Sequence, residues 1–75
     1  MKDLIETIVR ELVDHPEDIN VTEHRMDGTV KYQLTVNKED MGKVIGKQGR
    51  IAKAIRMIVY AAGANRSERI QLEIV

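Results

Sequence analysis

The residues of this sequence best suited to chemistry are Gly46-Lys47-Gln48-Gly49, here called the glycine loop. Glycine lacks a Cβ atom, so it adopts backbone angles that other residues avoid and lets another chain approach the backbone closely. The loop lies between two segments of helical character, and the free N–H groups at the start of the second helix favour an anion. With the Lys47 ammonium beside them, these groups predict a cradle for the phosphates of a sugar-phosphate backbone.

Basic side chains are concentrated around this loop, although the formal net charge of the chain is zero. Residues 1–36 contain four lysines and arginines against eight acids, whereas residues 37–69 contain eight against three. Residues 43–56 contain five basic residues and no acid. Because a polyanion responds to the local field rather than to the total charge, this segment favours a nucleic-acid partner. The charge pattern alone fits a solvated helix face equally well.

Other kinds of functional site are poorly supported by the sequence. A Walker A loop needs four residues between its glycines and a Ser or Thr after its lysine, but Gly42 and Gly46 enclose three and Gln48 follows Lys47. The dinucleotide motif G-x-G-x-x-G fails because Val44 occupies a glycine position. The chain has no Cys and two isolated His residues, so neither a metal site nor a catalytic nucleophile is predicted. We therefore expect no enzyme activity, cofactor or small-molecule substrate.

The composition predicts one small domain that spans residues 1–75. Of these residues 43% are hydrophobic and 32% are charged, which fits a globular chain near the lower size limit for folding alone. No apolar run is long enough to cross a membrane, and the first residues place acids where a signal peptide needs an apolar stretch. We expect a cytoplasmic protein with no membrane contact.

The hydrophobic periodicity predicts six elements in the order α-β-β-α-α-β. Pro16 is expected to end the first helix, because the residue before a proline is pushed out of the helical region. Asp27 and Gly28 are typical of a hairpin turn, and residues 64–67 are expected to form a loop. Three strands with helices packed on one face make an α+β two-layer domain. The predicted helices cover residues 2–13, 38–45 and 50–62, and the predicted strands cover residues 19–26, 29–36 and 70–74.

The helix predicted over residues 50–62 has an apolar face and a polar face. Met57 and Tyr60 lie on the polar side, so they are either isolated surface residues or part of a protein interface. Because the core of so short a chain is modest, we favour the interface and expect a homodimer built on this helix. On a helical wheel, the residues expected to face the core are Ile51, Ala54, Ile55, Ile58 and Ala62, and Lys53, Arg56 and Tyr60 lie opposite.

The glycine loop and its flanks resemble the signature of the K-homology (KH) domain. Residues 44–49 read Val-Ile-Gly-Lys-Gln-Gly, and Ile55 follows at the spacing of the KH pattern V-I-G-x-x-G-x-x-I-x-x-I. Ala52 occupies the position of the first downstream isoleucine, which leaves less side-chain volume under the groove. The order α-β-β-α-α-β resembles that of type II KH domains. Over its whole length, the chain is similar to the small bacterial single-KH proteins of the KhpA family.

This resemblance implies that the protein binds single-stranded RNA. Backbone N–H groups of the glycine loop, with Lys47, would hold phosphates, and a groove lined by Val44, Ile45 and the last strand would take about four bases. Because the groove lacks aromatic side chains on which bases could stack, we expect modest affinity and loose selectivity. The expected RNA-binding residues are Lys43, Val44, Ile45, Gly46, Lys47, Gln48, Gly49, Arg50, Lys53 and Arg56.

The resemblance also implies particular partners and a cellular role. It implies self-association, pairing with a larger KH-containing RNA-binding protein of the KhpB or Jag type, and an RNA-chaperone role linked to cell-wall and cell-length control. An alternative function is a protein-interaction or assembly module whose contact with nucleic acid is incidental. Exposed apolar side chains at Met57 and Tyr60 would favour that alternative.

Overall fold

The computed structural model describes residues 1–64 and 67–75, and its elements follow the predicted order α-β-β-α-α-β. Residues 65 and 66 of the predicted loop, including one of the basic residues counted above, lie outside the described residues. Three short 3₁₀ turns cover Pro16–Asp18, Lys38–Asp40 and Lys47–Gly49. The helices are α1 (Lys2–Arg10), α2 (Met41–Ile45) and α3 (Arg50–Ala62), and the strands are β1 (Asn20–Met26), β2 (Thr29–Thr35) and β3 (Arg69–Ile74).

The three strands form one mixed sheet in the order β1-β2-β3. β1 and β2 pair antiparallel through the predicted hairpin turn, where Asp27 and Gly28 have positive φ values of 34° and 80°. β2 and β3 pair in parallel, with Tyr32 opposite Leu72. Parallel neighbours need a crossover connection, and here that connection consists of α2, the glycine loop and α3. The candidate site is therefore carried by the crossover itself.

The helices pack on one face of the sheet and confirm the α+β class. Tyr32, Val30 and Leu34 alternate along β2 with polar residues that point away from the helices. Ile5 and Val9 of α1 and Val44 of α2 are fully buried in the same cluster. The remaining buried apolar residues are Val21, Val36, Ala52, Ile55, Val59 and Leu72.

The first helix is shorter than predicted, ending at Arg10 rather than at residue 13. The amide of Glu11 donates to the carbonyl of Ile8, so the last turn tightens from α-helical to 3₁₀ spacing. Leu12 and Val13 follow in a turn and still pack partly against the core. Pro16 does not end α1, because the helix has already ended and the proline opens the next 3₁₀ turn.

The buried face of α3 is rotated from the one predicted by the helical wheel. Ala52, Ile55 and Val59 are buried, whereas Ala54, Ala62 and Ile58 are exposed, Ile58 to 48%. The prediction gave weight to the large isoleucines, but a helix that lies close to a sheet is better accommodated by the small Ala52 and the compact Val59. Ile58 thus lies on the solvent side, next to Met57, and not opposite to it.

Candidate nucleic-acid interface

The glycine loop begins at Gly46, whose backbone has φ 75° and ψ 175°. Residues with a Cβ atom rarely adopt this region of backbone space. A Cβ atom built on Gly46 would also lie 2.5 Å from Cγ1 of Ile51 in the first turn of α3. Glycine is needed here both for its backbone angles and because α3 approaches the loop so closely.

The rest of the loop is one tight turn, Lys47–Gly49, whose last two residues lie in the left-handed region. Gln48 (φ 58°, ψ 25°) and Gly49 (φ 75°, ψ 14°) are consecutive left-handed residues, and the Gly49 amide donates to the Gly46 carbonyl at 3.1 Å. A left-handed residue other than glycine is uncommon, so Gln48 is held there by the turn around it. The turn leaves the side chains of Lys47 and Gln48 exposed, as the prediction requires.

The start of α3 presents a positive field to solvent beside the loop. Gly49 occupies the N-cap position and has no side chain to bond the first amides, and the first turn carries no acid. The positive end of the helix dipole is therefore not compensated by a side chain. Lys47, Arg50 and Lys53 are exposed in the loop and the first turn of α3, and one Arg50 nitrogen donates to Oε1 of Gln48 at 3.3 Å.

Lys43, which was also predicted to bind RNA, is engaged elsewhere. Its ammonium pairs with the Asp14 carboxylate and lies 3.7 Å from Oδ1 of Asp40. The hydrogen bond to Asp14, together with the charge of both carboxylates, raises the pKa of Lys43 above its ordinary value. The side chain is therefore directed toward the connection between α1 and β1 (residues 11–19).

Asp40 is a buried carboxylate that sequence reasoning did not identify as part of the site. It is 1% exposed, and its two oxygens accept the backbone amides of Asp14 at 3.1 Å and His15 at 2.9 Å. Burial raises the pKa of Asp40, but these two amides and the charges of His15 and Lys43 outweigh burial and hold it below its ordinary value. The only local signal was its place, with Glu39, in the first turn of the helix predicted over residues 38–45.

Three further predicted residues differ in how far solvent can reach them. Val44 lies on the inner side of α2 and is fully buried, whereas its neighbour Ile45 is 39% exposed immediately before the loop. Arg56 is half-buried, and its Nε donates to the Leu72 carbonyl on β3 at 3.2 Å. Ile45 is thus available to a ligand. Val44 instead packs α2 against the core, and Arg56 joins α3 to β3.

A row of exposed apolar residues runs along the solvent side of α3. Ala54, Met57, Ile58 and Ala61 have helical i, i+3, i+4, i+7 spacing and are all exposed, Met57 to 63%. We call these four residues the α3 stripe. Tyr60 is 43% exposed next to Met57, so both residues of the predicted dimer interface are accessible.

Other kinds of site receive little support from the residues described. No group of three or more His, Asp or Glu side chains in residues 1–64 and 67–75 could hold a metal ion. Within the same ranges, no helix has the length and hydropathy needed to cross a bilayer. A cavity of about 400 Å³ opens on the helix-free face of the sheet, lined by residues of β1, the hairpin turn, β2 and β3, and it includes no residue of the glycine loop.

The mixed sheet, with two helices joined by a G-x-x-G loop in its parallel crossover, defines a KH domain of type II. The profile of the KH domain of KhpA and KhpB matches residues 2–74. The chain therefore belongs to the KhpA/KhpB KH-domain family.

Individual relatives agree with this assignment. The RNA-binding protein KhpA of Listeria monocytogenes (strain EGD-e) is 57% identical over 75 residues, covering all of this chain and 99% of its own length. The RNA-binding protein KhpA of Bacillus subtilis (strain 168) is 54% identical over 74 residues, or 99% of this chain and 91% of its own length. The crystal structure of Aquifex aeolicus Era bound to GDP·AlF4⁻ superimposes with a TM-score of 0.69 over 96% of this chain. At 17% identity and 28% coverage of Era, that match shows the fold alone.

Proposed function

We propose that this protein acts as a single KH domain that binds single-stranded RNA through the glycine loop and the start of α3. The observation that carries the proposal is the loop backbone, in which Gly46, Gln48 and Gly49 have positive φ values ahead of a helix without a side-chain cap. A non-glycine residue in the left-handed region, here Gln48, is a strained feature of the kind that is concentrated at functional sites. The relatives from Listeria and Bacillus are named for RNA binding, which supports the same ligand.

Phosphates would be held mainly by backbone groups. The amides of Gly46, Gly49 and Arg50 are bonded within the chain, so a phosphate oxygen would accept from the other amides of the exposed turn and of the first turn of α3. Lys47, Arg50 and Lys53 in the same two turns add mobile positive charge, and no acid accompanies them. Contacts of this kind fix the position of the strand and read no sequence.

Bases would lie beyond the loop, between α2 and β3. Ile45 offers an apolar surface there, and β3 is an edge strand whose outer side is not paired within the sheet. About four nucleotides fit a groove of this kind in KH domains. Tyr32 is buried and Tyr60 lies near the far end of α3, so no aromatic ring is available beside the loop, and each base lacks the roughly 1–3 kcal/mol that stacking supplies elsewhere. We therefore propose modest affinity and loose sequence selectivity.

A charge reversal in the loop tests this proposal. Lys47→Asp combined with Gln48→Asp places negative charge where phosphate would lie, at two exposed positions that do not support the core. We expect the variant to remain folded by circular dichroism and to bind a single-stranded oligonucleotide more than about tenfold more weakly. Lys2→Asp with Thr7→Asp makes the same change in charge on α1 and should bind nearly as well as the wild type. Equal loss in both variants, or in neither, would contradict the loop as the binding site.

The protein is also proposed to form a homodimer through α3. The α3 stripe and Tyr60 place several apolar side chains in water on one helix face, and a two-fold dimer would bury them against their own copies. Two glycine loops in one particle would raise the apparent affinity for RNA through effective concentration. The same stripe favours the second candidate function, a protein-interaction module whose RNA contact is incidental. Loss of partner binding with retained RNA binding after mutation of the stripe would separate the two functions.

Membership of the KhpA/KhpB family suggests a wider role. We propose that the protein pairs with a larger KH-containing RNA-binding protein of the KhpB or Jag type, and that it acts as an RNA chaperone linked to cell-wall and cell-length control. This role is one of binding rather than catalysis, and it places the protein in the cytoplasm with its RNA. Crosslinking and sequencing of RNA bound in cells, with and without an intact glycine loop, tests this role.

A further inference from the structure

The short helix α2 depends on contacts with other parts of the chain for its stability. It has five residues, too few for a helix to be stable in isolation, yet its last residue leads directly into the glycine loop. On its inner side, Val44 packs into the core. At its start, a polar network joins it to the connection between α1 and β1, and that network determines where α2 begins.

Asp40 is the centre of this network. Its two carboxylate oxygens are each used by a different backbone amide, those of Asp14 and His15, more than twenty residues away in sequence. A further hydrogen bond joins the same two segments: the side-chain nitrogen of Asn37 donates to Oδ2 of Asp18 at 2.7 Å. Asn37 and Asp40 stand at the two ends of one turn, and these three hydrogen bonds fix the direction of the chain as it enters α2.

Lys43 completes the network from within α2. Its ammonium contacts two carboxylates, that of Asp14 in the α1–β1 connection and that of Asp40 immediately before α2. A phosphate at Lys43 would have to displace the exposed Asp14 and compete with the buried Asp40, whose charge has no other lysine or arginine partner among the described residues. Lys47, four residues later, is exposed and has no such competitor among residues 1–64 and 67–75.

We propose that Asp40 and Lys43 are positioning residues that hold α2 against the α1–β1 connection and thereby orient the glycine loop. In this arrangement Lys43 makes no phosphate contact. The inference rests on the proposed binding of RNA by the loop, and it assigns two neighbouring lysines of the same basic segment to different tasks.

The dependence of RNA affinity on salt distinguishes these two tasks. Each phosphate contact that a single-stranded ligand loses reduces the magnitude of the negative slope of log K against log salt by about 0.7. We expect Lys43→Met to weaken binding of a single-stranded oligonucleotide several-fold while keeping the wild-type slope. The matched variant Lys47→Met should weaken binding and also make the slope shallower, by about 0.7. Lys43→Arg, which can still bridge the two carboxylates, should restore the affinity.

A second measurement follows the loop without RNA. Asp14→Asn removes a carboxylate that contacts Lys43, and it is expected to shift the amide resonances of Gly46 and Gly49, although neither glycine touches residue 14. Glu11→Gln removes one charge from the same region, at an exposed residue, and should leave those resonances in place. This comparison also replaces the binding test if Lys43→Met does not fold.

The outcomes separate this inference from the function on which it rests. If the salt dependence of Lys43→Met is as shallow as that of Lys47→Met, Lys43 is a phosphate contact and the inference is overturned. Wild-type affinity in Lys43→Met, or unmoved glycine resonances in Asp14→Asn, would also overturn it. If Lys47→Met has the affinity and slope of the wild type, the proposed function fails instead.

Discussion

Gly46 and Ile51 approach so closely that a Cβ atom on the glycine would stand 2.5 Å from Cγ1 and 2.8 Å from Cβ of the isoleucine. Ile51 belongs to the first turn of α3, whereas Gly46 ends α2. The two helices that flank the glycine loop therefore meet at a point where no side chain fits. The conformation of the loop depends on this contact as much as on the flexibility of glycine.

Gly46→Ala is accordingly expected to destabilise the protein. The added methyl group must displace Ile51, and the backbone must keep a positive φ, which together cost about 1–3 kcal/mol or more. Gly42→Ala is the matched control, because Gly42 lies in α2 with no atom within 4 Å of a built Cβ. This control should be neutral or stabilising by about 0.5–1 kcal/mol. Urea unfolding measures both values, and equal stabilities would contradict the importance of the contact.

RNA binding is expected to weaken steadily with salt. Three basic side chains, Lys47, Arg50 and Lys53, give roughly three phosphate contacts, so log K against log salt should have a slope of about −2 for a single strand. A duplex of the same sequence should bind less well, because its paired bases cannot enter the groove. Fluorescence anisotropy over a range of salt measures both effects. A flat plot, or equal affinity for the duplex, would indicate another surface.

Replacing apolar residues of α3 by glutamate is expected to yield a monomer. Met57→Glu with Tyr60→Glu should produce a folded protein that no longer self-associates and that binds RNA more weakly. Ile58→Glu alone should have the same effect, because Ile58 lies in the middle of the α3 stripe. Sedimentation at high micromolar concentration measures the outcome, with Lys2→Glu and Thr7→Glu on α1 as the control. A monomeric wild type, or a dimeric variant, would exclude this interface.

Stability is expected to fall as the pH rises through neutrality, because of His15. Burial lowers the pKa of His15, but the carboxylates of Asp40, Glu39 and Glu17 outweigh it and raise the pKa above its ordinary value of 6.5. A raised pKa in the folded state means that the stabilisation is fully present below pH 6.5 and is lost as the pH passes the folded value. Urea unfolding at about pH 6 and pH 8 should show this loss in the wild type and not in His15→Gln. His24→Gln, on the helix-free face of the sheet, should retain it.

The parts of the structure that the sequence predicted well are those encoded by local patterns. Val30, Tyr32 and Leu34 alternate with polar residues, and that alternation is sufficient to place β2 and its buried face. Asp27 and Gly28 specify the hairpin turn by themselves. The tight turn of the glycine loop was likewise predicted, because two closely spaced glycines that enclose Lys47 and Gln48 indicate such a turn.

The parts that the sequence did not predict depend on contacts between distant residues. Ala52 is buried because α3 lies close to the sheet, and no property of an alanine within its own helix reveals that approach. Asp40 and Asp14 are 26 positions apart, so their hydrogen bond has no local signal. For the same reason the sequence did not indicate that Lys43 pairs with the carboxylates of Asp14 and Asp40.

The parallel pairing of β2 with β3 also has a consequence for the order of folding. β1 and β2 are joined by a tight turn and can close early, whereas β3 must find β2 across the whole crossover, and non-local parallel pairing of this kind forms slowly. The crossover contains the glycine loop, and Arg56 of α3 bonds a carbonyl of β3. A nascent chain that has not yet added its last strand therefore carries the complete loop sequence without the architecture that shapes it. Binding competence should emerge in the slowest kinetic phase, so that an incompletely folded chain does not capture RNA.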